Sequence, residues 1–476
     1  MASAVTTPAG IADLLAAQQQ AFGREGLVPA ATRRARIQQV IDLLVAHSDA
    51  LADAMDADFG GRHRGFSLMN DVLGSLGSLK YTRDHLQGWM QPDTRASFAP
   101  YDQLGASAEV LHQPKGSVGI IGTWNAPLFT LFSPLACALG AGNRAILKPS
   151  EITPRTAELV AEIIGSQVDP EVVAVVTGDA GIGAAFAAQP FNHLVFTGST
   201  AVGRKIMQAA AGHLVPVTLE LGGKSPAILS RSADLDDACR RLAIAKGTNG
   251  GQICISPDVL YVPADALETV VAGLKQHFCQ YYPRIDDNPD LVAAVNDAHL
   301  QRVESYLDDA RVRGARIESS HPETPGSSRR RPLRLVIDPP ADSLIMQEEI
   351  FGSALVIRTY TQLDEAIVDI NVRPRPLALY YFGQDTAEQA RVLSQTLSGG
   401  VTVNDAMMHA AMHAAPFGGI GASGLGHYHG YEGFLEFSHA RTVYRVPESD
   451  PRGEWGMLPP YGEHFEAMIK SQITSE

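Results

Sequence analysis

The residues with the clearest chemical potential lie between positions 219 and 258. This stretch holds one carboxylate, Glu220, directly before a glycine pair, and one cysteine, Cys254, among small and polar residues. A thiol and a carboxylate that a fold brings together can perform acyl-enzyme chemistry, because the thiol attacks a carbonyl and the carboxylate activates the water that releases the product. The alternative interpretation is a small buried cysteine and a surface acid. Spacing alone does not separate the two.

Length, charge and cysteine content exclude several classes of protein. A chain of 476 residues predicts two or three domains. A formal net charge of -14 lacks the basic footprint that nucleic acids require. Four cysteines without a Cys-x-x-Cys pair favour free thiols in a reducing compartment. The N-terminus has no signal-peptide pattern and the C-terminus is polar, so we expect a soluble cytoplasmic protein without a membrane or nucleic-acid partner.

Two local runs have alternative interpretations. Residues 116–143 contain no charge and are long enough to cross a bilayer, but Asn125, Pro127 and Pro134 interrupt them. A buried strand, a loop and a core helix therefore describe this segment better than a membrane span. The one basic run, 329–331, follows Pro-Gly-Ser-Ser and is interpreted as a solvated loop.

The pattern of apolar residues predicts the elements that must position Glu220 and Cys254. Residues 8–90 are predicted to be helices, with a helical period over 33–57, and 95–113 an extended hairpin. Apolar runs that alternate with helical stretches then predict parallel strands at 118–121, 145–147, 172–176, 194–196 and 217–219. A second α/β unit has strand candidates at 227–229, 260–262, 335–337, 355–357, 379–382 and 401–403. Residues 404–430 resemble a loop, and 434–446 could supply a last strand.

Polar residues follow several of these predicted strands. Asn125, Lys148, Gly198 and Glu220 each lie just beyond one. Because ligands of such sheets bind at the carboxyl ends of the strands, all four should line one crevice. Cys254 belongs to the second unit, so the cleft between the two units is the predicted reaction site.

Further short motifs leave alternatives open. Residues 196–203 end a strand and open a helix, which could face a diphosphate, although they match neither the Gly-x-Gly-x-x-Gly nor the P-loop pattern and could be only a tight turn. Lys148 and Glu151 have a spacing that could reach ribose hydroxyls. The amide of Asn125 is either a satisfied buried group or a donor to an oxyanion. His409, His413, His427 and His429 lack a zinc motif, so no metal is predicted.

Taken together, the sequence resembles the aldehyde dehydrogenase superfamily. The matching motifs run in family order over most of the chain: Trp124-Asn125, Lys148-Pro-Ser-Glu151, Phe196-Thr-Gly-Ser199, Glu220-Leu-Gly-Gly-Lys-Ser, Gly251-Gln-Ile-Cys254, Glu348-Glu349-Ile-Phe351-Gly and Pro416-Phe-Gly-Gly. The ending, from Ser423-Gly-Leu-Gly to Phe434–His439, is similar to the class 3 and coniferyl aldehyde dehydrogenase branch.

The resemblance implies a role for each matching residue. Cys254 would be the nucleophile, Glu220 the general base, and Asn125 with the Cys254 backbone N–H the oxyanion hole. The implied cofactor-binding residues are Lys148 and Glu151 for the adenosine ribose, Gly198 and Ser199 for the diphosphate, Glu349 and Phe351 for the nicotinamide ribose and ring, and in addition Trp124, Gly203 and Leu221.

The resemblance also implies the fold, the cofactor and the assembly. The expected fold has two doubly wound α/β domains and a β-hairpin bridging arm. We expect an NAD(P)-binding domain at 1–94 and 114–221, a catalytic domain at 222–430, an arm at 95–113 and 431–450, and a tail at 451–476. NAD is the expected cofactor, with NADP as an alternative, and the expected assembly is a homodimer.

The implied reaction is oxidation of an aldehyde to a carboxylic acid through a thiohemiacetal and a thioester on Cys254. The candidate entrance, with Met69, Leu73, Phe129 and the 407–413 loop, is apolar and favours aromatic, coniferyl aldehyde-like, or medium-chain substrates. The alternatives are a coenzyme A-acylating dehydrogenase and a non-catalytic cofactor-binding protein. Thr123, Ser353 and Asn70 depart from the family pattern and put loop shape and substrate preference in doubt, while every catalytic residue type is present.

Overall fold

The short apolar runs form strands that are mostly buried on both faces, as parallel sheets covered by helices require. The computed structural model describes residues 6–322 and 328–475. These fall into two compact units. One comprises the chain up to Trp89 together with Pro114–Ser438, and the other comprises Met90–Gln113 together with the chain from His439.

The strands follow one another along the chain in this order: β1 (Asp93–Arg95), β2 (Ser107–Pro114), β3 (Ser117–Ile121), β4 (Arg144–Lys148), β5 (Val173–Val175), β6 (His193–Thr197), β7 (Val217–Glu220), β8 (Pro226–Leu229), β9 (Val259–Pro263), β10 (Arg316–Ser319), β11 (Arg334–Ile337), β12 (Ala354–Tyr360), β13 (Ala378–Phe382), β14 (Gly400–Val403), β15 (Gly424–Leu425) and β16 (Ser438–Arg445).

The α-helices are α1 (Pro8–Glu25), α2 (Ala30–Ala46), α3 (Ser48–Phe59), α4 (Arg64–Ser67), α5 (Gly74–Trp89), α6 (Phe129–Ala141), α7 (Pro154–Gln167), α8 (Ala180–Ala187), α9 (Thr200–Ala211), α10 (Leu235–Gly247), α11 (Leu267–Tyr281), α12 (Asp297–Val312), α13 (Leu344–Gln347), α14 (Leu363–Asn371), α15 (Thr386–Gln395), α16 (Gly430–Glu436) and α17 (Phe465–Gln472).

The first unit contains two sheets. The six-stranded sheet has the order β15-β7-β6-β3-β4-β5, with only β15 antiparallel to its neighbour. The seven-stranded sheet has the order β10-β11-β12-β9-β8-β13-β14, with only β10 antiparallel. In the first of them the chain proceeds from β3 outward through β4 to β5, and then returns to place β6 and β7 on the other side of β3. The carboxyl ends of β3 and β6 therefore border the switch point at which such sheets bind ligands.

The expected mixed α/β fold is confirmed, and each predicted parallel strand corresponds to an observed one. The short antiparallel strands β10 and β15 were not predicted, because Arg-Ile-Glu-Ser and Gly-Leu carry no apolar run. The helical period over 33–57 is divided between α2 and α3 at His47, whose φ of -110° and ψ of 13° interrupt the helix.

The second unit is built around a small antiparallel sheet, β1-β2-β16. The expected hairpin over 95–113 has its strands at β1 and β2, with Asp93 opposite Val110. The expected last strand begins at Ser438, because α16 occupies the residues before Phe437.

The basic run 329–331 is not the solvated loop that its composition suggested. Arg329 donates from Nη2 to Phe59 O (2.7 Å) and from Nε to Ala294 O (2.7 Å), and Arg330 donates from Nε to Leu291 O (2.6 Å). The segment around Ala294 has no regular secondary structure, so its carbonyls need donors from elsewhere. These arginines therefore fix that segment against the end of α3.

The uncharged segment 116–143 forms β3, a loop and α6, as expected. Among residues 6–322 and 328–475, no helix has both the length and the apolar character needed to cross a membrane.

Candidate active site

Cys254 follows a loop with an unusual backbone. Asn249, Gly250 and Gly251 have φ values of 49°, 63° and 76°, so three successive residues are left-handed. A Cβ on Gly250 would lie 2.8 Å from Val292 O, and one on Gly251 would lie 2.3 Å from Gly352 O. Both positions therefore require glycine, while asparagine is among the residues that tolerate this conformation.

Side chains hold this loop from several directions. Gln252 donates to Asn249 O (2.8 Å) and Ala293 O (3.0 Å) and accepts from Val295 N at 3.0 Å. Further along, the Tyr380 hydroxyl donates to Ile255 O, and the buried Lys246 amine donates to Pro257 O at 2.9 Å. The backbone around Cys254 is thus fixed before any ligand binds.

Glu220 is the last residue of β7 and is buried. In the described part of the chain its two oxygens have no hydrogen-bond donor other than the nearby thiol of Cys254. Burial raises the pKa of the Glu220 carboxyl to about 7. Burial and the adjacent Glu220 also raise the pKa of the Cys254 thiol well above its usual value. The carboxylate is therefore poised to accept a proton near neutral pH, and the thiol needs such an acceptor.

Asn125 lies in the loop that follows β3. Its Nδ2 donates to Gln252 O (3.0 Å), and its backbone carbonyl accepts from Asn249 Nδ2 at 3.1 Å. These bonds tie the loop of the first sheet to the cysteine loop of the second. An amide has two N–H donors, so the hydrogen that is not directed at Gln252 can serve an oxyanion formed at Cys254.

A cavity of about 1500 Å³ contains most of the predicted site. Eight of the predicted residues line it: Trp124, Asn125, Gly198, Ser199, Glu220, Cys254, Glu349 and Phe351.

Four predicted residues do not line this cavity. Lys148 is buried at the end of β4 and pairs with the more exposed Glu151 (Nζ to Oε2, 2.8 Å). Gly203 packs on Leu221, since a Cβ at Gly203 would lie 2.7 Å from the leucine side chain.

The turn between β6 and α9 fits a dinucleotide diphosphate. Ser199 caps α9 by accepting from Val202 N at 3.4 Å, and Gly198, Ser199 and Thr200 line the cavity at this helix terminus. A Cβ at Gly198 would meet the Phe196 ring at 2.5 Å, so the backbone itself must form the surface there. The N-terminus of a helix offers N–H donors and a positive dipole end to an anion.

Glu349 and Phe351 occupy the wall supplied by the second sheet. Burial and Asp258 raise the pKa of Glu349 to about 8, and the carboxylate accepts from the Gly223 backbone N–H. Phe351 has a φ of 47°, and its ring contacts Trp124 edge-on at a centroid distance of 5.4 Å. A left-handed phenylalanine is strained, and such strain is concentrated at functional sites.

Sequence reasoning missed several residues of the site. Asn249 and Gln252 are the buried amides that shape the cysteine loop, and Arg302 supports the opposite wall by donating to Glu349 O (3.1 Å) and Ile350 O (2.9 Å). Tyr428 lines the cavity close to Glu220 and Cys254. The glycine pair between Asn249 and Gln252 was the one sequence signal that could have predicted their roles, because two glycines indicate an irregular backbone that neighbouring side chains must hold.

Of the four histidines, His413 and His429 lie with their ring centroids 5.9 Å apart, and His409 and His413 each have a hydroxyl partner. His409 pairs with Thr402 (Nδ1 to Oγ1, 2.8 Å), and His413 with Ser78 (Nδ1 to Oγ, 3.2 Å). Within residues 6–322 and 328–475, no group of three or more His, Cys, Asp and Glu side chains is arranged to hold a metal ion.

The fold and the site define the class of protein. It is an α/β protein whose cavity combines a cysteine, a buried carboxylate and a helix N-terminus suited to a dinucleotide.

Comparison with known proteins identifies the family. Residues 3–443 match the Aldehyde dehydrogenase family. A probable coniferyl aldehyde dehydrogenase of Caulobacter vibrioides is 46% identical over 97% of this chain and 96% of its own length. A coniferyl aldehyde dehydrogenase of a Pseudomonas species is 45% identical over 93% and 92% of the two chains.

Solved structures agree with these sequence matches. The substrate-bound Staphylococcus aureus AldH superimposes with a TM-score of 0.89 at 32% identity, over 97% of this chain and 99% of that one. A Mycobacterium tuberculosis aldehyde dehydrogenase complexed with NAD+ superimposes with a TM-score of 0.84 at 28% identity, over 94% and 92%. The chain belongs to the aldehyde dehydrogenase family and is an NAD(P)-dependent oxidoreductase.

The pKa of Glu220 predicts the pH dependence of the reaction. Only the ionised carboxylate can accept a proton, so kcat should fall as the pH drops through about 7. Glu220→Gln should lower kcat by roughly 10²-fold and remove this acidic limb. The burst of NADH in rapid mixing should slow as well, because the thiol loses its proton acceptor.

The exposed Glu162→Gln on α7 is the matched control and should leave the pH profile unchanged. A burst at the wild-type rate in Glu220→Gln would confine Glu220 to the release of the product.

Proposed function

We propose that Cys254, Glu220 and Asn125 carry out the oxidation of an aldehyde to a carboxylic acid. The observation that carries the proposal is the buried carboxylate of Glu220, which has no donor but the Cys254 thiol in the described part of the chain. Glu220 takes the thiol proton, and Cys254 Sγ attacks the carbonyl carbon to form a thiohemiacetal. Asn125 Nδ2 and the Cys254 backbone N–H donate to the oxygen that becomes negative.

The second half of the reaction uses the same side chains. Gly198, Ser199, Glu349 and Phe351 would hold NAD(P), which would supply the acceptor for the hydride of the aldehyde carbon. Glu220 then releases the thiol proton to solvent. Water attacks the thioester that remains on Cys254, and the proton of this water passes to Glu220, which returns it to the departing sulfur. Collapse of the tetrahedral intermediate releases the carboxylic acid and restores the thiol. Transfer of the acyl group to coenzyme A would need no such base, so the position of Glu220 favours hydrolysis.

The cofactor-binding set is proposed on the donors and acceptors present. Gly198 and Ser199, with Gly203 one turn into α9, suit the diphosphate. Glu349 suits the nicotinamide ribose, and Phe351 its ring. Trp124 supports Phe351, and Leu221 packs behind the turn.

Lys148 and Glu151 suit the adenosine ribose from the end of β4, outside the cavity. The carboxylate of Glu151 can accept from a ribose 2'-hydroxyl and would repel a 2'-phosphate, which favours NAD over NADP.

The preferred substrate is proposed to be an apolar aromatic aldehyde of the coniferyl type or a medium-chain aldehyde. Met69, Leu73, Phe129 and Met408 line the cavity with polarizable and apolar surface. Arg241, which also lines it, pairs with Asp405 at 2.6 Å. Two relatives that share 46% and 45% of their residues with this chain are named for coniferyl aldehyde.

Domain roles and assembly are proposed from the same resemblance. Residues 1–94 and 114–221 would bind the cofactor, 222–430 would carry the catalysis, and 95–113 with 431–450 would form a bridging arm before the tail at 451–476. The arm would pair two subunits into a cytoplasmic homodimer. In support, β16 carries largely exposed side chains and ends a three-stranded sheet, which is the kind of edge that another chain can extend.

The nucleophile can be tested by substitution. Cys254→Ala should abolish NADH formation while the Kd for NAD remains within about twofold, because no sulfur is left to form the thiohemiacetal. The partly buried Cys279, which lies on α11 and does not line the cavity, provides the control Cys279→Ala with normal turnover. Near-normal turnover of Cys254→Ala would refute the mechanism.

Substrate preference can be tested with an aldehyde panel. Coniferyl aldehyde, cinnamaldehyde and medium-chain aliphatic aldehydes should have higher kcat/KM values than acetaldehyde and succinic semialdehyde, because they bury more apolar surface in the cavity. Initial NADH rates give these values directly. A higher kcat/KM for acetaldehyde or succinic semialdehyde than for the aromatic aldehydes would contradict the proposal.

The assembly can be tested by light scattering. The mass should be twice that of the 50.8 kDa chain. Deletion of residues 439–476 should shift the mass toward the monomer if the arm holds the dimer together. A monomeric mass for the full chain would rule out the homodimer.

A further inference from the structure

Arg62 and Asp71 form a fully buried ion pair that the proposed reaction does not use. Arg62 Nη2 lies 2.6 Å from Asp71 Oδ2, and neither side chain is exposed. The guanidinium lies over the Phe59 and Phe66 rings at 4.8 and 4.9 Å. Burial lowers the pKa of Arg62, and Asp71 opposes this shift. Because burying two charges costs free energy, we asked which parts of the fold this ion pair holds in place.

The second oxygen of Asp71 caps the helix that follows the Asn125 loop. Asp71 Oδ1 accepts from Leu128 N at 3.1 Å and from Phe129 N at 3.4 Å. These are free donors at the start of α6, and Leu128, at the N-cap position, supplies no side-chain cap. A carboxylate at this position also interacts favourably with the positive end of the helix dipole.

The capped turn is directly connected to Asn125. Thr130 Oγ1 accepts from Thr123 N and donates to Ala126 O, both at 3.0 Å, so the loop is bound to the first turn of α6. At the other end, the Phe59 ring beneath Arg62 lies 6.1 Å from the Trp124 ring. The ion pair therefore bonds the segment 124–129 at Leu128 and Phe129, and it contacts the Trp124 end only through the Phe59 ring.

Asp71 also connects this segment to the aldehyde side of the cavity. It lies in a π-helical turn, Leu68–Leu73, whose residues Met69 and Leu73 line the cavity. A Cβ on the next residue, Gly74, would lie 2.9 Å from the Phe129 ring, so the turn and the start of α6 are in close contact. Single π-helical turns within helices frequently occur at functional sites.

We propose that Asp71, held by Arg62, is a positioning residue for this reaction. It fixes the start of α6, and through it the direction of the Asn125 amide. The proposal rests on the oxyanion role that is proposed for Asn125.

Two double variants separate the cap from the charge. Arg62→Met/Asp71→Asn and Arg62→Met/Asp71→Leu both remove the buried charges, so neither leaves one ion alone. Asparagine keeps an acceptor for Leu128 N, whereas leucine has none. The first variant should keep kcat within about threefold of wild type, and the second should lose roughly tenfold or more, as expected when an oxyanion donor is misdirected.

A reaction without cofactor gives the most specific measurement. Hydrolysis of p-nitrophenyl acetate needs the thiol, Glu220 and the oxyanion donor but no cofactor, and it should show the same roughly tenfold difference between the two double variants. The Kd for NAD should be equal in both. Glu25→Gln, which breaks the partly buried Arg144–Glu25 pair at the opposite end of β4, is the control and should leave both activities unchanged.

A cycle with Asn125→Ala tests whether Asp71 acts through Asn125. In the Asn125→Ala background the two double variants should differ by less than about twofold, because the group they aim is gone. A persistent tenfold difference, or equal activities in the presence of Asn125, would overturn the proposal. If Asp71 had a purely structural role, both double variants would melt at lower temperatures than the wild type but would have equal activities. The expected tenfold difference in activity would reject that role.

The remaining outcomes are also decisive. Wild-type ester hydrolysis by Asn125→Ala would refute the oxyanion role itself, whereas a loss in Asn125→Ala combined with equal double variants would refute the positioning role alone. If the Asp71→Leu double variant does not fold, Arg62→Met/Asp71→Thr replaces it, because the threonine hydroxyl is attached to Cβ and lies one bond short of the Asp71 Oδ1 position that accepts from the two amides.

Discussion

The burial of Glu220 is the constraint on which the rest of the site depends. A pKa raised from 4.5 to about 7 corresponds to about 3 kcal/mol of unfavourable desolvation for the ionised form. The free energy of unfolding falls by this amount as the pH rises from about 4.5 through 7, because the carboxyl group loses its proton at a lower pH in the unfolded chain than in the folded one. A donor beside Glu220 would restore that stability, but it would also weaken the base. The absence of a second donor in the described chain is thus what keeps the carboxylate basic.

A reactive group without partners needs surroundings that cannot relax toward it. Three residues of the cysteine loop have the left-handed conformation, which glycine and asparagine adopt more readily than other residues. The side chain of Gln252 holds the same loop by bonding three backbone groups. The Asn125 loop is held through α6 and the contacts described above. The Asn125 loop follows the carboxyl end of β3, whereas the cysteine loop leads from α10 to the start of β9. The fold therefore brings together polar residues that are far apart in sequence.

The difference between local patterns and long-range side-chain bonds explains what the sequence could predict. Apolar periodicity located the parallel strands, and strand ends located Asn125, Gly198 and Glu220, because both follow from local patterns that a sheet repeats. The roles of Gln252 and Arg329 could not be predicted, because Gln252 bonds Ala293 O 41 residues away, Arg329 bonds Phe59 O 270 residues away, and such bonds leave no periodic signal. The arginine run was misinterpreted for this reason. Its composition resembles that of a solvated loop, and the backbone carbonyls that accept its hydrogen bonds, such as Ala294 O and Leu291 O, belong to a distant irregular segment.

The distribution of cations near the cavity bears on how the thiolate is generated. Lys224 pairs with Asp258 and donates to Ile345 O (2.7 Å) and Glu348 O (2.9 Å), while Arg302 donates to the carbonyls of Glu349 and Ile350. These cations hold the wall, and the groups that raise the pKa of the Cys254 thiol are burial, Glu220 and Glu349. Low thiol pKa values elsewhere arise from adjacent cations or helix N-termini. In the proposed reaction the thiol proton instead passes to Glu220. A single carboxylate would then serve the thiol first and, after releasing that proton to solvent, the water afterwards, so both steps would depend on its ionised form.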